Sequence, residues 1–425
     1  MTTTCSRSLQ GVGILLSAML LFSGCLKDKC TNVYSYTLYK PVYMSYDVLR
    51  SSVKSTPAEE LQTTGKIYYK SPYIFINEVD KGIHIIDNSD PSNPLNISFV
   101  NIPGNIDMAV EDNVLYADSY IDLVAIDISD PLNVREVSRS MNVFPNRIYT
   151  NGWALDPLKG VVTGWNESDT TIEQDCGYYY PVFAMEDVFV SSNSTGGGGV
   201  NTTSVSPGNG IAGSLARFCI YNDYLYCLDN AAMKLFDISN AAKPVNTSSV
   251  DMPWNIETIF PYEHYLFIGS TTGVSIYDNT NPASPSFVSQ LSHVSSCDPV
   301  VVQGSYAYAT LRDGTSCQGF SNELDVIDIS NIYNPVLKTS VPFVHPFGLG
   351  INGSHLFVCD DAAGLKHMDA TDPLAISLAE SVNAGATRDV IPLGSLLLLV
   401  STDGLYQFDY SSGSLVQLSY LPVKK

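Results

Sequence analysis

Gly82-Ile-His-Ile-Ile-Asp87-Asn-Ser-Asp-Pro91 is a short apolar run that ends in an aspartate and passes into a polar turn. The pattern returns as Asp122-Leu-Val-Ala-Ile-Asp127-Ile-Ser-Asp-Pro131, Met233-Lys-Leu-Phe-Asp237-Ile-Ser and Gly273-Val-Ser-Ile-Tyr-Asp278-Asn-Thr-Asn-Pro282. Leu324-Asp-Val-Ile-Asp328-Ile-Ser, Gly364-Leu-Lys-His-Met-Asp369-Ala-Thr-Asp-Pro373 and Gly404-Leu-Tyr-Gln-Phe-Asp409-Tyr-Ser complete the series. The marker aspartates are separated by 40, 110, 41, 50, 41 and 40 residues. A period near forty is that of one four-stranded propeller blade. The Asp-x-Ser/Asn-x-Pro runs could suggest calcium ligands, but they lack the glycine and terminal glutamate of an EF-hand loop. They read better as turns, where Asp and Asn cap their own backbone and Pro stops a central strand.

Around each marker lie four β-runs. In one unit these are Ile256 to Phe260, Tyr265 to Gly269, Val274 to Tyr277 and Ser286 to Gln290, with Asn281-Pro282 turning the chain before the last. One such unit cannot bury both of its faces alone, so units must stack, and closing them into a ring protects all but short edges. The expectation is an all-β protein, a β-propeller of four-stranded antiparallel blades. The 110-residue gap holds Trp153-Ala-Leu-Asp-Pro-Leu-Lys-Gly160-Val-Val-Thr-Gly-Trp165, which has the form of another inner hairpin, and Thr170 to Ile172 could supply its third strand. Counting hairpins favours eight blades, with seven possible, and leaves an insertion loop at about 175–214. Residues 38–53 alternate in polarity and are expected to add a strand at the closing blade.

These strand cores, Leu123-Val-Ala-Ile-Asp127 and Asp325-Val-Ile-Asp328 above all, resemble those of the LVIVD-repeat family, over about residues 66 to 420. The resemblance implies a β-propeller and, in many members, an exported or surface-anchored protein. It implies no shared activity, because the family is defined by its scaffold. The unit near Thr170 departs from the pattern.

The N-terminus reads as an export signal over 1–24. Arg7 precedes an apolar run from Gly11 to Phe22, too short to span a bilayer, and Leu21-Phe22-Ser23-Gly24-Cys25 resembles a bacterial lipobox. Cys25 is the expected lipid attachment, residues 25–37 a lipid-anchored tether and 38–425 a single propeller domain. Leu26-Lys27-Asp28-Lys29 looks like a surface-export signal, which points to the outer membrane or cell surface of a Gram-negative bacterium. Two acyl chains anchor a protein stably, at ~0.8 kcal/mol for each buried methylene. A net charge of −21 disfavours nucleic acid and anionic headgroups as partners.

Seven cysteines remain after Cys5 and Cys25 are set aside. Cys297 and Cys317 fall at the start of one strand and the end of its neighbour, at one rim, and are the disulfide candidates. Cys219 and Cys227 are one register out of opposition, and Cys359 reads as a buried strand thiol. The spacings give no zinc-type pairing, the six histidines are scattered, and neither metal nor cofactor is expected.

Propellers commonly bind at the axial mouth, on loops entering the innermost strands. Here those positions carry Asp107, Arg147, Arg217, Glu257, Asp298, Arg388 and Asp389. Forked arginine donors and carboxylates could grip a zwitterion, glycan or cation, or could satisfy one another and close the channel. A second candidate is the insertion, where Tyr178, Tyr179, Tyr180 and Phe183 could contact a partner. There is no GxSxG, HExxH or phosphate loop, and the glycines at 196–199 lie in linker-like sequence. The leading expectation is a protein- or glycan-binding envelope module. The alternative is a glycan-processing hydrolase or lyase with its site in the axial mouth.

Overall fold

The computed structural model describes residues 31–145, 158–175, 189–190, 210–229, 231–253, 256–270, 272–292, 299–313 and 321–424. Seven blades, each a four-stranded antiparallel sheet of consecutive strands, form a ring. Blade 1 comprises Thr64–Lys70, Tyr73–Glu78, Gly82–Asp87 and Leu95–Asn101, and blade 2 Met108–Glu111, Val114–Ser119, Asp122–Asp127 and Arg135–Ser140. Blade 3 is Phe218–Tyr221, Tyr224–Asp229, Ala232–Asp237 and Val245–Asp251, and blade 4 is Ile256–Tyr262, Tyr265–Ser270, Gly273–Asp278 and Ser286–Ser292. Blade 5 is Val300–Gln303, Tyr306–Leu311, Glu323–Asp328 and Val336–Pro342. Blade 6 is Leu349–Asn352, His355–Cys359, Leu365–Asp369 and Ser377–Val382, and blade 7 is Thr387–Leu393, Leu396–Ser401, Gly404–Asp409 and Val416–Pro422.

Each marker aspartate is the last residue of a third strand, so seven markers mean seven blades and the eight-blade count is corrected. The expected extra blade is absent because Val161–Asp175 runs as one 15-residue strand. That strand flanks Thr31–Met44 in a three-stranded sheet with Phe189–Val190 on the other side. Most of this sheet lies in a second compact unit, over residues 1–42 and 164–193. Within it Thr37 Oγ1 donates to Asp169 Oδ1 at 2.9 Å, and Leu38 stands opposite Val190.

In the ring, second and third strands are mostly buried, as in Tyr73–Glu78 and Gly82–Asp87, because both faces lie against neighbouring blades. Outer strands such as Val336–Pro342 are mostly exposed. The turn after each third strand works as the composition implies. Asp87 Oδ1 accepts from Ser89 N at 2.9 Å, Asp127 Oδ1 from Ser129 N at 3.0 Å, and Asp369 Oδ1 from Thr371 N at 2.9 Å. We call the rim bearing these turns and the first hairpin turns the lower face, and the opposite rim the upper face.

Blades are tied to their successors by a recurring bond. The fourth residue of the outer strand donates its hydroxyl to a carbonyl in the next blade's lower turn: Ser98 to Pro131 at 2.6 Å, Ser248 to Ala283 at 3.3 Å and Ser289 to Ile332 at 2.6 Å. Ser419 donates to Pro91 at 2.7 Å, which is the same bond closing blade 7 onto blade 1. Gln407 Nε2 to Asn88 Oδ1 at 2.7 Å and Lys424 N to Leu61 O at 2.8 Å reinforce that seam. No strand is exchanged between the two blades. The expectation for residues 38–53 is therefore corrected: 38–44 end the strand Thr31–Met44, and Tyr46–Arg50 is a helical turn that buries Leu49 against Tyr120 and Val161. Lys54–Pro57 then adds a strand to the outer edge of blade 1 rather than to blade 7. Among the described residues no helix is long and apolar enough to cross a membrane.

Candidate functional site

The axis of the ring is occupied by the chain itself. Gly210 N donates to Val110 O of blade 2 at 3.2 Å, and Ile211 and Ala212 pair with Tyr69 and Tyr68 of blade 1. Gly213 N reaches Ile67 O at 2.8 Å, Ser214 N reaches Asp389 Oδ1 of blade 7 at 2.6 Å, and Ser214 Oγ accepts from Leu349 N of blade 6 at 2.7 Å. Ala216 O accepts from Ile259 N of blade 4 at 3.1 Å. This axial segment, residues 210–217, thus touches the innermost strands of five blades on its way to blade 3. Its small side chains are required: a Cβ on Gly210 would stand 2.0 Å from the Tyr68 ring, and one on Gly213 would stand 2.1 Å from Asp389 Oδ2.

Five of the seven mouth positions lie within the described residues; the segment contains one of them, Arg217, and bonds two others, Asp107 and Asp389. Asp107 is buried. Its Oδ2 pairs with Lys66 Nζ and accepts from Arg217 N at 2.5 Å, while Oδ1 accepts from Met108 N at 2.7 Å. Burial presses Lys66 and Asp107 toward their neutral forms, and their mutual attraction opposes this. Arg217 Nη2 donates to Ile256 O at 3.1 Å. Burial raises the Glu257 carboxyl pKa, countered by Arg217, Arg312 and Lys66. Asp389 is wholly buried, and burial pushes its carboxyl up to about 7 despite the Ser214 and Val390 donors.

Arg388 instead faces the upper rim in a second cluster. Its guanidinium lies 4.3 Å from the centre of the Phe347 ring, and Arg312 lies 4.4 Å from the same centre. Arg388 Nη1 binds Asp361 Oδ1 at 3.0 Å, and His345 Nδ1 lies 3.1 Å from Asp361 Oδ2. His345 Nε2 lies 3.2 Å from Asp313 O, and Asp360 holds the loop by accepting from Val344 N and His345 N at 3.0 and 2.8 Å. Arg388 and His345 are each 30% exposed and Asp361 25%, so the rim cluster can meet a partner where the axis cannot.

Four LVIVD-repeat matches fall on this ring. A family model described as the LVIVD repeat matches residues 65–101, 106–141, 210–252 and 296–342, which are blades 1, 2, 3 and 5 with their entering loops. The chain carries LVIVD repeats at these four places. No curated protein matches the sequence. A functionally unknown protein from Desulfotomaculum acetoxidans DSM 771 is similar in structure, with 11% identity over 85% of this chain and 95% of that one, at a TM-score of 0.48. BamB from Moraxella catarrhalis has 9% identity over 84% and 96%, at 0.46, and the computationally designed Ika8 protein 9% over 86% and 91%, at 0.49.

In the LVIVD-repeat ring, Lys66, Arg312, His345 and Asp361 were not singled out from sequence. Lys66 sits at the start of blade 1's innermost strand, the same signal that marked Asp107. Arg312 and Asp361 sit just past second strands, and His345 in the loop between blades 5 and 6. Arg147, Asp298, Tyr178, Tyr179, Tyr180, Phe183, Cys25, Cys297 and Cys317 lie outside the described residues. Cys219, Cys227 and Cys359 are buried free thiols whose ionisation burial suppresses. Cys219 stands opposite Tyr226, and Cys227 opposite Phe218. Among the described residues no group of three His, Cys, Asp or Glu is arranged to hold a metal ion.

Proposed function

We propose that this LVIVD-repeat propeller is a lipid-anchored protein of the outer membrane or cell surface of a Gram-negative bacterium, and that it binds a protein or glycan partner. The observation that carries the binding reading is the filled axis. Two mouth carboxylates, Asp107 and Asp389, lie buried beneath the axial segment, where Lys66, Arg217 and Met108 hold Asp107 and the Ser214 and Val390 amides hold Asp389 Oδ1. A hydrolase or lyase working in the mouth needs carboxylates that reach substrate. Accessible on the upper face, among the described residues, is the partly exposed rim cluster of His345, Asp361 and Arg388. An arginine stacked on an aromatic ring and braced by a carboxylate is pre-organised for contact, because little side-chain freedom is lost on binding. The anchor rests on Cys25 and the small residues before it.

The test is crosslinking of the intact lipidated protein in its own cells, followed by affinity recovery and mass spectrometry. A stoichiometric envelope partner, lost in the double variant His345→Ala, Arg388→Ala, supports the reading. Recovery of the chain alone, together with turnover in a screen of envelope glycans, overturns it in favour of the enzyme. A Cys25→Ser variant that still fractionates with membranes and still takes up labelled fatty acid overturns the anchor.

A further inference from the structure

The seam between blades 5 and 6 lacks the bonds that close other seams at the lower face. Tyr116, third residue of blade 2's second strand, donates its hydroxyl to Ala241 O in the lower turn of blade 3 at 2.8 Å. Tyr226 holds the same position in blade 3 and donates to Pro282 O of blade 4 at 2.9 Å. Both acceptors lie four residues past a marker aspartate. Tyr308 holds that position in blade 5, and the matching residue of blade 6 is Pro373. Yet Tyr308, only 2% exposed, makes no hydrogen bond through its hydroxyl among the described residues. The outer-strand hydroxyl that ties four other seams is also missing here: Thr339 stands in that place and reaches no turn of blade 6.

Where the bond from Tyr308 to the lower turn of blade 6 would run there is a cavity of about 360 Å³. Its walls are the hairpin turns of blades 5 and 6 and the lower turn of blade 6, with Tyr306, Tyr308, Ser305, Ser354, Thr371 and Pro373 among them. The opening is built to hold its width. Gln303 Nε2 donates to Gly353 O and Gly353 N donates to Gln303 Oε1, both at 2.8 Å, so the two hairpin turns are pinned together while the space outside them stays open. No lining residue carries a charge, in a chain whose net charge is −21. The size is at the lower end of the range for small-molecule pockets, about 300–1,000 Å³.

We propose that this seam is a binding site for a neutral sugar unit, a refinement that rests on the binding reading given above. The chemistry follows from the unmade bond. A phenol donor and a turn carbonyl acceptor face a gap, and one group that satisfies both must accept from the first and donate to the second. An alcohol hydroxyl does so. A carboxylate offers the carbonyl no proton, and an ammonium offers the phenol no lone pair. The remaining wall suits the rest of a pyranose: Tyr306 and Pro373 offer apolar surface to a sugar face, and Ser305, Ser354 and Thr371 offer further hydroxyls.

The experiment is saturation-transfer NMR on the full chain with glucose, galactose, mannose and N-acetylglucosamine, with glucuronate as the charged comparison. The expected result is transfer to at least one neutral sugar, weaker or no transfer to glucuronate, and at least a tenfold weaker affinity in Tyr308→Phe at an unchanged melting temperature. Tyr306→Ala, on the wall, should weaken the same sugar independently. Absence of transfer to every neutral sugar overturns the proposal and leaves the cavity to water, and so does transfer that both variants leave intact. The two readings separate cleanly. Loss of sugar binding in Tyr308→Phe with the cellular crosslink retained assigns the seam and the rim to different ligands, whereas failure of the sugar alone leaves the rim partner standing.

Discussion

Replacing Asp389 by asparagine should change how the fold responds to pH more than it changes the fold itself. Asp389 is fully buried against the axial segment, with Oδ1 accepting from Ser214 N at 2.6 Å and Val390 N at 2.9 Å, while Oδ2 has no hydrogen-bond partner. Its carboxyl is raised from 3.8 to about 7. A carboxyl raised on folding favours the native state while it is protonated, so its contribution is complete below pH 3.8 and drains away as pH climbs to about 7. At about 1.36 kcal/mol for each pH unit, the wild type loses about 4 kcal/mol over that window relative to a residue that cannot ionise. The amide side chain keeps the shape and the Oδ1 acceptor. Its buried amide hydrogens carry a cost of about 1–3 kcal/mol that does not vary with pH. Urea denaturation of both proteins between pH 4.5 and 8.5 should therefore give curves that cross or converge, with the Asp389→Asn variant gaining on the wild type as pH rises. Parallel curves across the whole range would refute the buried ionisation and the axial packing that causes it.

Three further outcomes follow from the same contacts. Gly213→Ala drives a Cβ to 2.1 Å from Asp389 Oδ2 and 2.8 Å from Ile67 Cγ2, and should lower stability by about 1–3 kcal/mol in denaturant titrations. Ser419→Ala removes a bond that closes the ring and should cost about 1 kcal/mol, with faster hydrogen exchange at both flanking blades. Tyr116→Phe and Tyr226→Phe should each cost about 1 kcal/mol, whereas Tyr308→Phe should cost almost nothing, a contrast that calorimetry can read directly.

The repeat was legible because each third strand ends the same way, in an aspartate that folds back onto the residue two further on. That is local chemistry, and local chemistry survives in sequence. The eighth blade was a misreading of Val161–Asp175, since alternation with period two marks any strand and does not name its partner. Its partner, Thr31–Met44, lies more than a hundred residues upstream and straddles the stretch read as tether and the stretch expected to add a strand at the closing blade. The mouth positions Asp107, Arg217, Glu257, Arg388 and Asp389 were found by counting to the start of each innermost strand. What fills the mouth was not found, because Gly210-Ile-Ala-Gly-Ser-Leu-Ala-Arg217 has the small residues of a linker. Those same small residues are what a crowded axis admits. The unclosed seam at Tyr308 was equally hidden, for its sequence matches the seams that do close.

The axial segment also bears on how such a ring is assembled. Residues 210–217 leave the ribosome before any of blades 4 to 7, and chains fold from the N-terminal end as they emerge. The stretch that will fill the centre is therefore made before the blades that enclose it. Later blades can close around it as they arrive, like staves around a mandrel, and no part of the chain has to be threaded through a finished hole.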